Sequence, residues 1–290
     1  FQYSPYAYFN EHCIFLDQEH FPMVIHEQTL INLVEIEKIF PHYFVGSNAD
    51  LPIVGGSMLA HEHYQGGRHT FPMMKAKIKK EVIFDKYPDV KVGIVDWPMS
   101  DLRLISKNSL TLISLGSKII DFWDRYNDQD RQITAFDGKT RRHTVTPIMH
   151  RDGEKFVLDL VLRDNNTSDK YPLGIFHPHS ELWHIKKENI GLIEVMGRAI
   201  LPGRLKKELE EVKKYLLDEN NEIAESHLAW AQEIKANHQI TSENVDSILQ
   251  QALVEVFDQV LECAGVFKNN ENGEAGWQKF TEALVSEVDR

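Results

Sequence analysis

The sequence predicts an α+β fold in which two similar halves precede a helical C-terminal region. Three observations predict it. Strands, a strand carrying a His-x-His word, and then helix recur in the same order on both sides of a polar, turn-rich stretch, Asn127 to Gly138. Each half has one such word, His61-Glu62-His63 and His177-Pro178-His179. From about Pro202 onward the chain reads as helix. The expected division is therefore residues 1–130 and residues 131–290, a pseudo-duplication read from the order of elements.

The elements follow from local patterns. Residues 12–16, His12-Cys13-Ile14-Phe15-Leu16, form a short apolar strand pattern, with a turn through Glu19-His20-Phe21-Pro22. Leu30, Leu33, Val34 and Phe40 recur at helical spacing, which predicts a helix near 27–40. Pro41, which has no N–H to continue the ladder, ends it. Tyr43-Phe44-Val45 reads as a strand and Asn48-Ala49-Asp50 as a turn. Gly55-Gly56 then leads into the strand with the first histidine word.

Residues 73–84 alternate Lys75, Lys77 and Lys79 with Met74, Ala76 and Ile78, which predicts a strand with one basic face. That face is either solvated or a basic wall beside an anionic ligand. A helix is expected at 108–126. In the second half, Thr144–Met149 and Phe156–Leu162 flank Arg151-Asp152-Gly153, a hairpin signal. Asn165 to Asp169 reads as a loop, and Leu173-Gly174-Ile175-Phe176 runs into the second histidine word as a strand. Four helical segments follow, at 204–220, to about 236, at 242–266 and at 275–288. Their apolar stripes and alternating charges fit core packing or a homodimer surface.

Composition narrows the class. The 290 residues are 42% apolar and 26% charged, a globular balance with no run of the ~20 apolar residues a membrane helix needs. The formal charge of −12 repels a nucleic-acid backbone, so neither nucleic acid nor membrane is an expected partner. Cys13 and Cys263, the two cysteines, form no CxxC pair, which fits a reducing cytoplasm. The start, Phe1-Gln2-Tyr3, has no initiator Met and no secretory signal, and suggests a chain lacking an upstream portion.

Chemistry concentrates in His61-Glu62-His63-Tyr64-Gln65-Gly66-Gly67. On a strand, residues two apart share a face, so His61, His63 and Gln65 line one side while Glu62 and Tyr64 face the other. Gly66-Gly67 after the strand and Gly55-Gly56-Ser57 before it offer backbone amides that could approach phosphate oxygens. A neutral imidazole is a competent nucleophile at phosphorus, and a glutamine amide can donate to a non-bridging oxygen as charge builds there. The same spacing also fits a metal pair, with His69 as a third ligand, or a structural pair.

Several words resemble galactose-1-phosphate uridylyltransferases of the Gram-positive bacterial type. They are Ser4-Pro5-Tyr6-Ala7-Tyr8-Phe9-Asn10-Glu11-His12-Cys13, Ser47 through Ser57, His61 to Gly67, and His177 through His184 with Glu194-Val195-Met196-Gly197. The family belongs to the histidine-triad group, whose fold is duplicated in these transferases, and its members are longer at the N-terminus. The resemblance implies that uridylyl moves from UDP-glucose to a histidine and then to galactose 1-phosphate. By that resemblance His63 is the nucleophile, Gln65 stabilises the covalent intermediate, and His61 orients the site or, in other branches, binds zinc.

The resemblance also implies phosphate contacts from Asn48, Gly55 and Ser57, and a hexose contact from Glu194. His150, His177 and His179 would hold a structural zinc or iron, with His184 as a local alternative; no organic cofactor is implied. Glu62 and Tyr64 stand where the better-known branch has prolines, and no glutamate among Lys75–Glu81 matches that branch's metal ligand. Three other readings share these residues: a histidine-triad phosphorylase, a His-x-His metalloprotein, and a binding module without catalysis.

Overall fold

Asp152 and Lys155 face each other across a tight hairpin whose Gly153 has a φ of +59°, a left-handed value that glycine adopts without strain. The strands it joins, His143–Asp152 and Lys155–Asp164, anchor a nine-stranded antiparallel sheet among the described residues. The structure is a computed structural model and describes residues 1–55 and 58–290.

In chain order the strands are β1 (Gln2–Tyr3), β2 (Cys13–Leu16), β3 (Phe44–Gly46), β4 (His63–Gly67), β5 (Ile78–Val82), β6 (Lys91–Val95), β7 (Asp101–Ser106), β8 (Phe136–Asp137), β9 (Thr140–Arg141), β10 (His143–Asp152) and β11 (Lys155–Asp164). The helices are α1 (Glu27–Ile39), α2 (Pro72–Lys75), α3 (Ser109–Trp123), α4 (Leu192–Val195), α5 (Leu205–Leu216), α6 (Glu225–Asn237), α7 (Val245–Ala264) and α8 (Glu271–Val288). The large sheet runs β1-β2-β4-β3-β10-β11-β7-β6-β5, and β8 pairs with β9 apart from it.

That order contains a repeat. β2-α1-β3-β4 places its strands as β2-β4-β3, and β7-α3-β10-β11 places its strands as β7-β11-β10. β3 pairs with β10, so the two sets meet back to back at the centre of one continuous sheet. The duplicated α+β fold expected from the sequence is thus present as two β-α-β-β repeats. The stretch 127–138 lies inside the second repeat, between α3 and β10.

One sheet face is covered. Tyr64, Val45, Met149, Leu158 and Leu104 pack with Leu30, Leu33 and Val34 of α1 and Leu112, Leu115 and Ile119 of α3. Gly116 lets the two helices approach: a Cβ there would lie 2.9 Å from Leu30 Cδ1 and 3.0 Å from Leu158 Cδ2. α3 starts where Asn108 Oδ1 accepts the Leu110 N–H at 3.0 Å, an N-cap of the ordinary kind. The alternating residues His63, Gln65, Gly46, Ile148, Asp159 and Arg103 point to the opposite face.

The chain divides into two compact units. The first comprises residues 1–177, 189–198 and 262–290 and holds the whole sheet; the second comprises 178–188 and 199–261. The second has its own core of Val212, Leu216, Ala231, Ile234, Val245, Leu249 and Ala252. Among the described residues no helix is long and apolar enough to cross a membrane.

Two expected strands are corrected. Residues 73–84 are not one strand: Pro72 opens the single turn α2, the chain extends again at β5, and the register with β6 shifts between Ile78 and Lys80. Lys75, Lys77 and Lys79 are exposed, and Lys79 pairs with Glu274 at 2.6 Å, so the alternating lysines form a solvated surface. The His-Pro-His word at 177–179 is not a strand either. It follows β11 through a loop in which Gly174 has φ +133°, and Pro178 cannot donate to a ladder.

Candidate active site

β4 owes its position to two glycines. A Cβ on Gly66 would lie 2.7 Å from Phe44 O, and one on Gly67 would lie 2.8 Å from both Glu11 O and Phe9 Cε2. The space these glycines leave is filled by the protein's own backbone and by Phe9. This corrects the expectation that they open the strand to a ligand. Their small size instead lets β2 and β3 close on β4, with Ile14 and Gly46 both paired to Gln65.

His63 is 3% exposed, and its Nδ1 lies 2.9 Å from the backbone oxygen of His61. A carbonyl can only accept, so Nδ1 carries a proton, and in the neutral ring the lone pair is then on Nε2. The His61 ring is held likewise: its Nε2 donates to Asp17 O at 2.9 Å, and the ring packs against His20 with centroids 4.1 Å apart. On the helix-covered side, Tyr64 O–H donates to Glu62, and Asn32 Nδ2 donates to Glu62 Oε1 at 3.2 Å and to Tyr64 Oη at 2.9 Å. The alternation read from the sequence therefore separates His63 and Gln65 from Glu62 and Tyr64.

Gln65 has a partner that the sequence did not single out. His12 Nε2 lies 3.0 Å from Gln65 Oε1. His12 sits just before β2, on the same face as Ile14, diagonal to Gln65. Burial lowers its pKa, and the contact with Gln65 opposes that shift in part.

Three of the expected substrate residues converge on one turn. Asn48 Oδ1 accepts the Leu192 N–H at 2.8 Å. Glu194 Oε2 accepts the Gly191 N–H at 2.9 Å. Gly55, at φ +88°, leaves room for Ile190 O, which a Cβ would approach to 2.3 Å. The turn lies over β3: a Cβ on Gly46, the residue paired with Gln65, would meet Leu192 Cδ1 at 2.8 Å. The fourth residue, Ser57, lies outside the described residues.

Arg163 braces this turn and was also missed by sequence reasoning. It is fully buried, donating through Nη2 to Ile190 O at 3.0 Å and through Nη1 to Thr146 Oγ1 at 3.1 Å. Burial pushes its pKa down to about 10, and the Glu194 carboxylate works against that. Nothing in the isolated sequence distinguishes Arg163 from a strand-end surface arginine.

Each of the expected metal residues has neighbours of its own. His150 lies on β10, with Nε2 3.8 Å from Asp159 Oδ2. Burial lowers its pKa, with Asp159 opposing. His177 Nε2 lies 3.2 Å from Asn189 Oδ1. His179 belongs to the second compact unit, with Nδ1 3.9 Å from Glu181 Oε1. Among the described residues no group of three or more His, Cys, Asp or Glu is placed to hold a metal ion. His150 borders a cavity of about 1000 Å³ that is also lined by His42, Arg68, His69 and Arg103.

Comparison with known proteins shows the family. The family described as "Galactose-1-phosphate uridyl transferase, C-terminal domain" matches residues 35–232. A galactose-1-phosphate uridylyltransferase of Lactobacillus helveticus is 76% identical over 288 residues, which is 99% of this chain and 59% of that protein. One from Pediococcus pentosaceus is 60% identical over 98% of this chain and 58% of that protein. One from Streptococcus mutans is 55% identical over the same shares. The chain thus spans 58–59% of the length of these curated relatives.

Proposed function

The chain belongs to the galactose-1-phosphate uridylyltransferase family, and we propose on that premise that it carries the nucleophile of a uridylyl transfer between hexose phosphates. The donor is UDP-glucose, the carrier is His63, and the acceptor is galactose 1-phosphate. The observation that carries this reading is the hold on His63, whose Nδ1–H donates to His61 O; in the neutral ring this leaves the lone pair on Nε2, the atom the reading makes the nucleophile.

In the first half-reaction Nε2 bonds to the α-phosphorus of UDP-glucose. The bond from that phosphorus to the bridging oxygen breaks, and glucose 1-phosphate leaves with the electron pair. The imidazole becomes positively charged, and its Nδ1–H bond to the His61 carbonyl stabilises that charge, as an orienting acceptor does for other catalytic histidines. In the second half-reaction a phosphate oxygen of galactose 1-phosphate attacks the same phosphorus. The N–P bond breaks, neutral His63 returns and UDP-galactose leaves. No proton need move in either step.

Gln65 acts on the phosphate, its NH₂ donating to a non-bridging oxygen. Asn48, Gly55 and Glu194 act as a unit through the turn 190–194, which they hold over β3 beside Gln65. In this reading Glu194 meets the hexose hydroxyls and the turn's backbone meets the phosphates. His61 contributes its carbonyl to His63, while its ring is tied to Asp17. No step depends on a metal.

The test uses the full-length enzyme and UDP-glucose labelled in the α-phosphate. Acid-labile label on protein is expected from the wild type and is expected to vanish in His63→Ala. A wild type that takes up no label, or a His63→Ala variant that labels normally, overturns the assignment. Replacing galactose 1-phosphate by inorganic phosphate or a nucleoside diphosphate as the discharging acceptor separates hexose transfer from phosphorolysis.

A further inference from the structure

We propose that His12 is a positioning residue that turns the Gln65 amide so that it presents N–H₂, not oxygen, to the transferring phosphate; this rests on the uridylyl-transfer reading above. An amide can point either end outward, and the two choices have opposite consequences. The N–H₂ end stabilises a non-bridging oxygen that gains charge, whereas the carbonyl end repels it.

The surroundings of His12 select one choice. His12 is 4% exposed, and its ring lies against Phe9 at 4.3 Å between centroids and near Tyr8 at 5.8 Å. Its Nδ1 is buried and has no hydrogen-bond partner among the described residues. A buried N–H without an acceptor is among the rarest defects in folded proteins, and an unshared lone pair against aromatic rings is better tolerated. The proton therefore sits on Nε2, which donates to Gln65 Oε1 across the observed 3.0 Å. Reversing the amide would set its N–H₂ against the imidazole N–H, two donors face to face. With the oxygen held inward, the N–H₂ is left for the face that carries His63. Burial lowers the His12 pKa, so the imidazole is neutral at neutral pH and adds orientation without charge.

His12 touches neither the attacking nitrogen nor the phosphate in this scheme. Its effect appears in the rate of covalent-intermediate formation and passes through Gln65. The experiment measures single-turnover transfer of acid-labile label from α-labelled UDP-glucose to full-length enzyme, over a range of UDP-glucose concentrations. His12→Phe keeps the ring and removes the donor. It is expected to slow labelling by about tenfold to a hundredfold, somewhat less than the roughly 100- to 1,000-fold lost when an oxyanion donor is deleted outright. Half-saturating UDP-glucose should change little.

His12→Gln places an N–H₂ near the Nε2 position and is expected to recover most of the rate. His12→Asn, too short to reach Gln65, is expected not to. That contrast serves even if the phenylalanine variant folds poorly. In a Gln65→Ala background His12→Phe is expected to have no further effect, because the two residues act as one unit. An unchanged rate in His12→Phe, equal rates in the Gln and Asn variants, or a full additional loss in the Gln65→Ala background would each overturn the proposal while wild-type labelling stands. Absence of label on the wild type would overturn the uridylyl reading itself, and this inference with it.

Discussion

The two repeats of the sheet share a scaffold and differ in what they mount on it. Gly46 and Ile148 face each other where β3 meets β10. Outward from that pair, Gly46 neighbours Gln65 and then Ile14, while Ile148 neighbours Asp159 and then Arg103. Gln65 and Asp159 are therefore equivalent, as are Ile14 and Arg103. Two residues earlier on the same strands, His63 matches Val157 and His12 matches Asp101. The first repeat has a histidine whose Nδ1 is held on a backbone carbonyl and a neutral polar pair, His12 and Gln65, beside it. The second has an aliphatic side chain, and its polar pair is bound up with Arg103, which donates to Asp159 through Nε at 2.6 Å and to the carbonyls of Ala76 and Met73. On the proposed reading the same β-α-β-β frame serves chemistry on one side and bracing on the other, and activity follows from the mounted residues and not from the fold.

The largest separation between the repeats should come from the His63 and Val157 positions. His63→Ala is expected to reduce uridylyl transfer by on the order of 10⁴-fold or more, the scale on which covalent nucleophiles act. Val157→Ala, at the matching buried position, is expected to cost stability, about 0.5–3 kcal/mol, with transfer otherwise retained. Steady-state rates and denaturation midpoints on both variants decide this. Near-equal losses of activity would mean that the second repeat takes part in the reaction.

Gln65 and Asp159 provide the next contrast. Asp159→Ala leaves the Arg103 guanidinium buried without its carboxylate, and breaking a buried pair in this way costs about 3–5 kcal/mol. Gln65→Ala is expected to slow transfer by roughly 100- to 1,000-fold while the unfolding midpoint changes far less. Urea denaturation beside single-turnover labelling tests both. A Gln65 variant as unstable as the Asp159 variant would show that Gln65 is a packing residue, contrary to its proposed role.

Local chemistry made much of the first repeat legible. The apolar run at 12–16, the helical spacing of Leu30, Leu33 and Val34 and the break at Pro41 specify β2 and α1, and strand alternation alone sets His63 and Gln65 on one face. The Asp152-Gly153 turn likewise declares the β10–β11 hairpin. The second repeat was harder to see, because its central strand carries no histidine to mark it; Phe156 to Leu162 reads as an ordinary buried strand. The His-Pro-His word drew the eye instead, although Pro178 and the positive φ of Gly174 keep it out of the sheet. His12, Arg163 and the Asp101–Asp159–Arg103 group were invisible for a related reason. Each gains its meaning from a partner on a different strand or loop, and cross-strand register is not a local property of the chain.

The smallest expected effect comes from Asp101, the counterpart of His12. Burial, with the charge of and a hydrogen bond to the nearby Asp159 carboxylate adding to it, pushes the Asp101 carboxyl well above the usual range. The folded state therefore favours protonated Asp101 more than the unfolded chain does. For a raised carboxyl the folded form binds more protons, so its contribution to stability is fully present below the unfolded pKa and declines as pH rises toward the folded value. Asp101→Asn carries a permanent N–H₂ in place of that proton and removes the dependence. Its unfolding midpoint should gain on the wild type progressively from about pH 5 upward, given an unfolded aspartate pKa near 3.9. His12 carries the opposite sign: its lowered pKa makes protonation unfavourable in the folded state, so its contribution is lost as pH falls below the histidine range. Thermal melts of wild type, Asp101→Asn and His12→Gln across pH 5 to 9 should diverge in opposite directions for the two variants. A wild-type–Asp101→Asn difference that stays flat with pH would mean that Asp101 is ionised in the fold, and that the second repeat keeps a charged pair where the first keeps a neutral one.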